Sequence, residues 1–338
     1  MIYKVLFLIN GVLALGLLLS GLDQWVNLVW FPGIHFLNLI VPLLVWANLV
    51  FFLFWAVFKR RNALLSLVVL CFAFFVVAPF FKLGSSEDVA KTGDFSILTL
   101  NAHEFDGPRW TGQRAYKGSI IEFVADQDAD IICFQEFQYL GKNELSQYPY
   151  SYINHGSQEG EWYLWQAIYS KFPIINKGSL DFSDSYNNVI FADVVIQRDT
   201  VRIYNMHLQS LHFRLGNLKR EEPQRLYQRL DRSIEVQDKQ SRLIRKHMAG
   251  STHKTIIAGD MNNTQFSHIY RKLKGEHRDT FQEKGEGLGS TYHMRFLPFR
   301  IDYIMADSRF RVVSHTNYDV ILSDHKPIMA SLGFAQDK

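Results

Sequence analysis

The sequence of 338 residues predicts an α/β (α+β) protein in which two packed sheets are flanked by helices, preceded by three transmembrane helices. Three observations carry this. The first third consists of long charge-free apolar runs, and the remainder alternates short β-rich runs with amphipathic helical stretches. In that remainder the chemically capable polar residues recur at the ends of the apolar runs. Many strands with helices interspersed favour two sheets packed on each other over one purely parallel, doubly wound sheet.

Val5 to Leu22, Gln24 to Phe58 and Asn62 to Phe81 carry no charged side chain, and each reaches the ~18 apolar residues that mark a spanning helix. Spans are expected at about 5–22, 36–58 and 62–81, with Trp25, Trp30, Phe31 and Pro32 as an interfacial lead-in to the second. A helical hairpin buried in a soluble protein is the alternative, but such helices seldom stay apolar on every face. The short basic loop Lys59-Arg60-Arg61 is expected to stay in the cytoplasm, and Lys4 agrees with it. Three crossings would then place everything after Phe81 on the non-cytoplasmic side, periplasmic or extracellular. Leu19-Ser20-Gly21 is a poor cleavage site, so the first helix is read as retained. Residues 82–93, with Gly84-Ser85-Ser86, read as a flexible linker, and 94–338 as the large domain.

Within that domain Phe95 to Leu100 alternates into Asn101, and Ala129 to Phe134 is a compact apolar strand ending at Gln135-Glu136. Phe191 to Gln197 and Val201 to Met206 predict a hairpin turning at Arg198-Asp199-Thr200. Thr255 to Ala258 leads into Gly259-Asp260, and Ile301 to Ala306 is a further strand. Helical spacing covers about 119–127 and 223–248. Cys71 and Cys133 sit in apolar runs and are expected to pack in cores, since neither suits a disulfide framework or a structural zinc site.

Charge excludes one class weakly. Of 36 basic and 33 acidic residues, six and three fall in 1–91, which leaves thirty of each for 92–338. A balanced domain has no global field for gathering polyanions, which counts against an avid or processive nucleic-acid binder.

Taken singly, a polar residue after a strand is usually a turn or a solvated face. Taken together, Leu100-Asn101, Phe134-Gln135-Glu136, Ile168 to Ile174, Asn205-Met206-His207-Leu208, Gly259-Asp260-Met261-Asn262, Arg300-Ile301-Asp302-Tyr303-Ile304 and Ser323-Asp324-His325-Lys326-Pro327-Ile328 form a pattern. In this order and spacing the chain resembles the endonuclease/exonuclease/phosphatase superfamily over about 94–334, and residues 1–93 take no part in the resemblance. It implies a four-layer α/β/β/α sandwich of two mixed sheets and a hydrolase acting on phosphoesters with Mg²⁺ or Mn²⁺.

Phosphoester hydrolysis needs an in-line water, neutralisation of the non-bridging oxygens and help for the leaving oxygen. Hard oxygen ligands suit Mg²⁺, which usually keeps several waters and one or two protein carboxylates. Glu136 is the natural metal ligand, helped by the Asn101 amide oxygen, with Asp324 completing the shell or serving a second ion. Asp260 would orient and deprotonate the water, and Asn262 would hold it in register. His325 would donate to a phosphate oxygen, with Asp302 fixing its tautomer. His207 would face the leaving group or the phosphate from the opposite side, as acid or donor. Some relatives carry an oxygen ligand where this chain has His103, which weakens the case for a second metal and leaves His103 either touching substrate or packing.

Substrate choice is expected in three loops. Glu161-Trp162-Tyr163-Leu164-Trp165 could stack on a base or dip into a bilayer, or form an ordinary strand. The basic helix could present Arg225, Arg229 and Arg232 to phosphates, or be a solvated face. Tyr292 to Phe299 reads as a lid. The expected substrates are phospholipid or sphingolipid phosphodiesters, or nucleic acid, with membrane lipids contacted through the N-terminal helices and no protein partner. A phosphomonoesterase, or an inactive tethered binding module, is the alternative.

Overall fold

The computed structural model describes residues 1–26, 34–77, 79, 81–84, 94–106, 117–138, 144–154, 165–182, 185, 187–212, 222–294 and 298–335. Most of the expected linker, the aromatic stretch 161–164, the basic residues 214–220 and part of the expected lid lie outside the described residues. The chain divides into two compact units. One comprises Met1–Phe80, His212–Ile234 and Asn263–Lys272, the other Phe81–Leu211, Glu235–Asn262 and Leu273–Lys338.

The first unit is helical. Its helices are α1 (Ile2–Val26), α2 (Ile34–Leu39), α3 (Val41–Phe58) and α4 (Arg60–Val76). The expected second span is interrupted at Ile40, where Pro42 opens α3; proline fits the first helical turn because its missing N–H would be unsatisfied there anyway. Among the described residues two helices are long and apolar enough to cross a membrane, Ile2–Asp23 and Val41–Phe58, not the three expected. The third, α4, has 17 residues, begins on Arg60 and Arg61 and ends at Val76. Pro79, a few residues on, cannot continue it. Only 33% and 28% of the two apolar windows are buried, and Leu8, Val12, Trp46, Leu53 and Val57 are exposed. Cys71 is also exposed, not packed in a core as expected, because it lies on an outward face of α4.

Between these helices sits a polar knot. The Asn10 amide donates to Ser66 Oγ at 2.9 Å, and Trp55 Nε1 donates to Asn10 Oδ1 at 3.0 Å. Asn10, Asn48 and Ser66 are fully buried, and hydrogen bonds of this kind hold helices together where apolar surfaces alone give no specificity.

The second unit is a pair of six-stranded mixed sheets. The strands are β1 (Phe95–Asn101), β2 (Ile131–Phe137), β3 (Tyr150–Asn154), β4 (Trp165–Ser170), β5 (Ile174–Leu180), β6 (Val189–Ile196), β7 (Asp199–His207), β8 (Lys254–Asp260), β9 (Arg278–Asp279), β10 (Asp302–Ala306), β11 (Phe310–Asn317) and β12 (Ile328–Phe334). They order as β11-β12-β1-β2-β4-β3 and β5-β6-β7-β8-β10-β9. The expected hairpin is β6–β7, but its turn is Gln197-Arg198, because Asp199 already pairs with Ile196 and Gln197 takes the positive φ of 56°.

Alternation along the strands divides their side chains between two cores. Phe95, Ile97, Ile131 and Cys133 meet Ile203, Ile256 and Ile304 between the sheets. Leu98, Leu100, Ile132 and Phe134 face outward onto Ile120 and Val124 of α5 (Lys117–Gln127). With both faces covered, these strands read as continuous apolar runs. Each fully buried aliphatic side chain contributes roughly 1.5–3 kcal/mol. The long helix α6 (Pro223–Ala249) places Gln237 Nε2 2.7 Å from the Gln209 carbonyl oxygen and 3.3 Å from that of Asn262, steadying the turns after β7 and β8.

Candidate active site

Strand register builds the centre of the site. His207 at the end of β7 lies beside Asp260 at the end of β8 in parallel pairing, and Asp260 lies opposite Asp302 at the start of β10. Three polar side chains thus stand in a row across one sheet edge, on rigid elements. Gly259 makes the approach possible: its φ is +123°, and a Cβ there would fall 2.2 Å from the Met206 carbonyl oxygen.

The other sheet supplies Asn101 and Glu136. Asn101 ends β1, and its amide nitrogen lies 3.2 Å from Glu136 Oε1 and 3.1 Å from Asp260 Oδ2, so it ties the two sheets together at the site. Its amide oxygen accepts from the His103 backbone N–H at 3.1 Å. As placed, Asn101 contacts the two carboxylates through its amide nitrogen. Glu136 sits in a bulge, where the pairing of β2 with β4 slips between Phe134 and Phe137, and its φ is 46°. Bulges re-aim side chains, and a positive φ on a non-glycine residue costs energy that functional sites commonly carry.

Asn262, also at positive φ (51°), fixes Asp260 from the other side. Its backbone N–H donates to Asp260 Oδ1 at 2.7 Å, and its side chain donates to Asp260 Oδ2 at 3.1 Å and to the Leu208 carbonyl at 3.0 Å. His325 Nδ1 lies 2.9 Å from Asp302 Oδ2, its Nε2 is 3.8 Å from Asp260 Oδ2, and the Tyr292 ring packs edge-on against it. His207 Nε2 lies 3.5 Å from Glu136 Oε1 and 3.8 Å from Asp260 Oδ2. The eight residues singled out in the sequence therefore gather in one cluster. Asp324 joins it through His103, whose Nδ1 is 2.9 Å from Asp324 Oδ1. His103, 20% exposed, is thus the partner of Asp324.

Electrostatics divides the members. Burial pushes the Asp260 carboxyl up to about 8, with the Asp302 charge adding to the rise against His325. Burial opposes charge on His325, but the carboxylates of Asp302 and Asp260 outweigh it and keep the imidazole protonated well above its usual range. His207 is pulled below its usual value by burial, so it is neutral at neutral pH. Its buried Nδ1 has no hydrogen-bond partner among the described residues, which leaves Nε2 facing the carboxylates. Burial would raise Asp324, yet the His103 hydrogen bond and the His325 charge hold it near 2, and the same bond raises His103.

Solvent reaches this cluster unevenly. The Glu136 and Asp324 side chains are 24% and 16% exposed, against 1% for Asp260 and 3% for Asp302. Asp260, Asp302 and His325 also offer one ligand atom each within 4.8 Å of one another.

Two residues without an assigned role underlie the site. Gln135 Nε2 donates to Asn205 Oδ1 at 2.6 Å and to Thr99 Oγ1 at 3.0 Å, and Asn205 Nδ2 donates to the carbonyls of Phe134 and Ala167. Both are fully buried, so this bridge pins β7 to β1, β2 and β4 directly beneath Glu136 and His207. Each stands next to a site residue in sequence, but only the tertiary pairing shows what it does.

The family model described as Endonuclease/Exonuclease/phosphatase family matches residues 98–325, and a model described as a domain of unknown function (DUF8431) matches residues 3–80. A search of curated proteins finds no match. Among solved structures the chain is similar to a mannosyl-6-phosphatase of Bacteroides thetaiotaomicron, at 18% identity and a TM-score of 0.55, covering 71% of this chain and 100% of that one. It is similar to an endonuclease/exonuclease/phosphatase of Beutenbergia cavernae, at 15% identity and a TM-score of 0.54, covering 71% and 72%. A humanized D. rerio TDP2 aligns at 15% identity and a TM-score of 0.51, covering 71% and 98%. At these identities the structures establish the fold alone, whereas the family model spans most of the chain. The chain belongs to the endonuclease/exonuclease/phosphatase family.

Proposed function

We propose that this chain is a membrane-anchored, divalent-metal-dependent phosphoesterase that hydrolyses phosphodiester bonds. The observation that carries the reading is the setting of Asp260: a buried carboxyl clamped by Asn262 at 2.7 and 3.1 Å, with His207 Nε2 and His325 Nε2 each 3.8 Å from its Oδ2, and raised above the usual carboxylate range by burial. A base tuned close to working pH is what water activation requires.

The donor set fits a hard cation. Glu136 and Asp324 are the carboxylates that reach solvent, as an ion keeping most of its waters needs, and Asn101 holds the Glu136 carboxylate in place. Mg²⁺ or Mn²⁺ held there would neutralise charge on the phosphate oxygens. The protein's own groups do the rest. Asp260 takes the proton of the attacking water, and Asn262 fixes the direction of that carboxylate. His325, protonated and braced by Asp302, donates from Nε2 to a phosphate oxygen. Neutral His207 donates from Nε2 to the phosphate or the leaving oxygen.

A domain tethered by α1 and α3, whose apolar surfaces are largely exposed, suits lipid headgroup diesters, and its balanced charge weighs against avid binding of nucleic acid. An outward-facing catalytic domain requires α4 to cross back as well, and a phosphatase reporter fused after Leu83 that is silent rules that placement out. The full-length protein is tested on sphingomyelin vesicles, plasmid DNA, bis-p-nitrophenyl phosphate and p-nitrophenyl phosphate, with Mg²⁺, Mn²⁺ or EDTA. Metal-dependent cleavage of a diester is expected. Cleavage of the monoester alone points to a phosphomonoesterase, and no cleavage of any substrate points to a binding module.

A further inference from the structure

The helical unit contains a second convergence of metal-binding side chains that phosphoester chemistry does not use. Asp23 near the end of α1, His35 on α2 and His268, the first residue of α7 (His268–Lys274), offer one ligand atom each within 4.8 Å of one another. Asp23 is fully buried and both imidazoles are 6% exposed. All three, with Asn38, belong to the same compact unit.

The distances also suit ligands gathered around one ion. His35 Nδ1 and His268 Nδ1 both face the same carboxylate oxygen, Asp23 Oδ2, at 3.3 and 3.6 Å. Charge-assisted N–H···O⁻ bonds shorten to about 2.7–2.9 Å. A tetrahedral ion with bonds of about 2.0–2.1 Å separates its ligand atoms by roughly 3.3–3.4 Å, and the two N···O distances of 3.3 and 3.6 Å lie close to that. The rings of His35 and His268 lie 5.0 Å apart, tilted at 48°, as two imidazoles on one ion would.

Asn38 supplies an independent observation. It is 1% exposed, its Nδ2 donates to Asp23 Oδ2 at 2.7 Å, and its Oδ1 is buried without a hydrogen-bond partner among the described residues. A buried amide oxygen left unmatched costs on the order of 1–3 kcal/mol. Rotating this amide about its terminal bond would turn the oxygen toward Asp23, beside the other three ligand candidates. The Thr264 hydroxyl, donating to the Asn38 backbone carbonyl at 3.1 Å, fastens the backbone that carries the amide.

We propose that Asp23, His35 and His268, with Asn38 as the fourth donor, form a tetrahedral transition-metal site of the Zn²⁺ class. Imidazole nitrogen selects zinc and its neighbours over Mg²⁺ and Ca²⁺, so this site and the oxygen-rich catalytic centre take different ions. An ion here joins α1, α2 and α7 at a single point, and a closed site of this kind is structural. The assignment does not depend on the catalytic reading.

The full-length protein in detergent, stripped with EDTA and dialysed against buffered Zn²⁺, should retain one equivalent more than the H35N/H268Q variant when metal is counted by mass spectrometry. Equal retention overturns the site. Co²⁺ keeps the test independent of how the variant folds. In the unmutated chain it should give the intense visible bands of a tetrahedral ion, which octahedral oxygen sites lack, and Zn²⁺ should abolish them. A featureless visible spectrum at saturating Co²⁺ overturns the proposal.

Discussion

Among the described residues two groups of buried histidines and carboxylates stand on different scaffolds. One gathers Asp260, Asp302, His207 and His325 at the ends of strands, with Glu136 and Asp324 open to solvent beside it. The other gathers Asp23, His35 and His268 among helices, with every member closed off. The strand-end group holds its residues by register and by positive-φ turns, and the partly exposed Glu136 and Asp324 give it a side that meets solvent. The helical group is buried throughout, with Asn38 Oδ1 left without a hydrogen-bond partner among the described residues. On the two proposals, the same residue types serve reactivity in one place and cohesion in the other.

The largest effect that would break this contrast is at Asp260. Asp260→Asn should lower kcat by roughly 10²–10⁴-fold while leaving the thermal unfolding midpoint within a few degrees, and an unimpaired rate would remove Asp260 as the base. Next comes Glu136→Gln, which should shift half-maximal activation to about tenfold or more higher Mg²⁺, as expected when one of few ligands is lost. A metal titration of initial rates reads this directly, and an unchanged titration curve would move the ion elsewhere in the cluster.

The pH profile sharpens the assignment further. Because the Asp260 carboxyl is raised to about 8, its basic form appears only as pH climbs through that value. The rate with substrate well below KM should therefore rise about tenfold per unit below pH 8 and level off above it. The stability linkage has the opposite sense. The native state keeps this proton while the unfolded chain, at an ordinary carboxyl value near 3.9, has released it, so Asp260 stabilises the fold at low pH. That contribution is lost as pH rises from about 4 to 8. Chemical unfolding at several pH values should show this slope in the wild type and a flatter one in Asp260→Asn.

Smaller effects belong to the scaffolds. Gly259→Ala meets the Met206 carbonyl and should cost about 1–3 kcal/mol, visible as a fall of several degrees in the melting temperature. Asn10→Leu in the polar knot should cost only about 0.6–2 kcal/mol, read as a lower detergent-unfolding midpoint with activity retained in the folded fraction.

Much of the strand-end site is legible in the sequence, because each member directly follows or opens an apolar run and strand ends are where a sheet presents side chains. Glu136 after Phe134-Gln135 and Asp260 after Gly259 are examples. The hairpin β6–β7 and the helix α6 are legible for the same reason, through their periods. Other features are not. His103 reads as a substitution in a metal shell, and only the 2.9 Å contact with Asp324 makes it an ion-pair partner from a distant segment. Asn101 reads as an oxygen ligand, and only the hydrogen bonds around it turn its nitrogen to the carboxylates. The count of membrane spans follows from composition until helix ends are placed, and Arg60 at one end and Val76 at the other make α4 too short to count as the third.

By itself the sequence determined the apolar N-terminal runs, the two-sheet class and the residue types of the candidate site, since all three depend on local pattern: hydropathy, period and the chemistry of strand ends. Tertiary structure alone decided which carboxylates are buried and which are open, the pairing of His103 with Asp324, the Gln135–Asn205 bridge and the meeting of Asp23, His35, Asn38 and His268. Those depend on contacts between residues far apart in the chain, and no local period encodes a long-range contact.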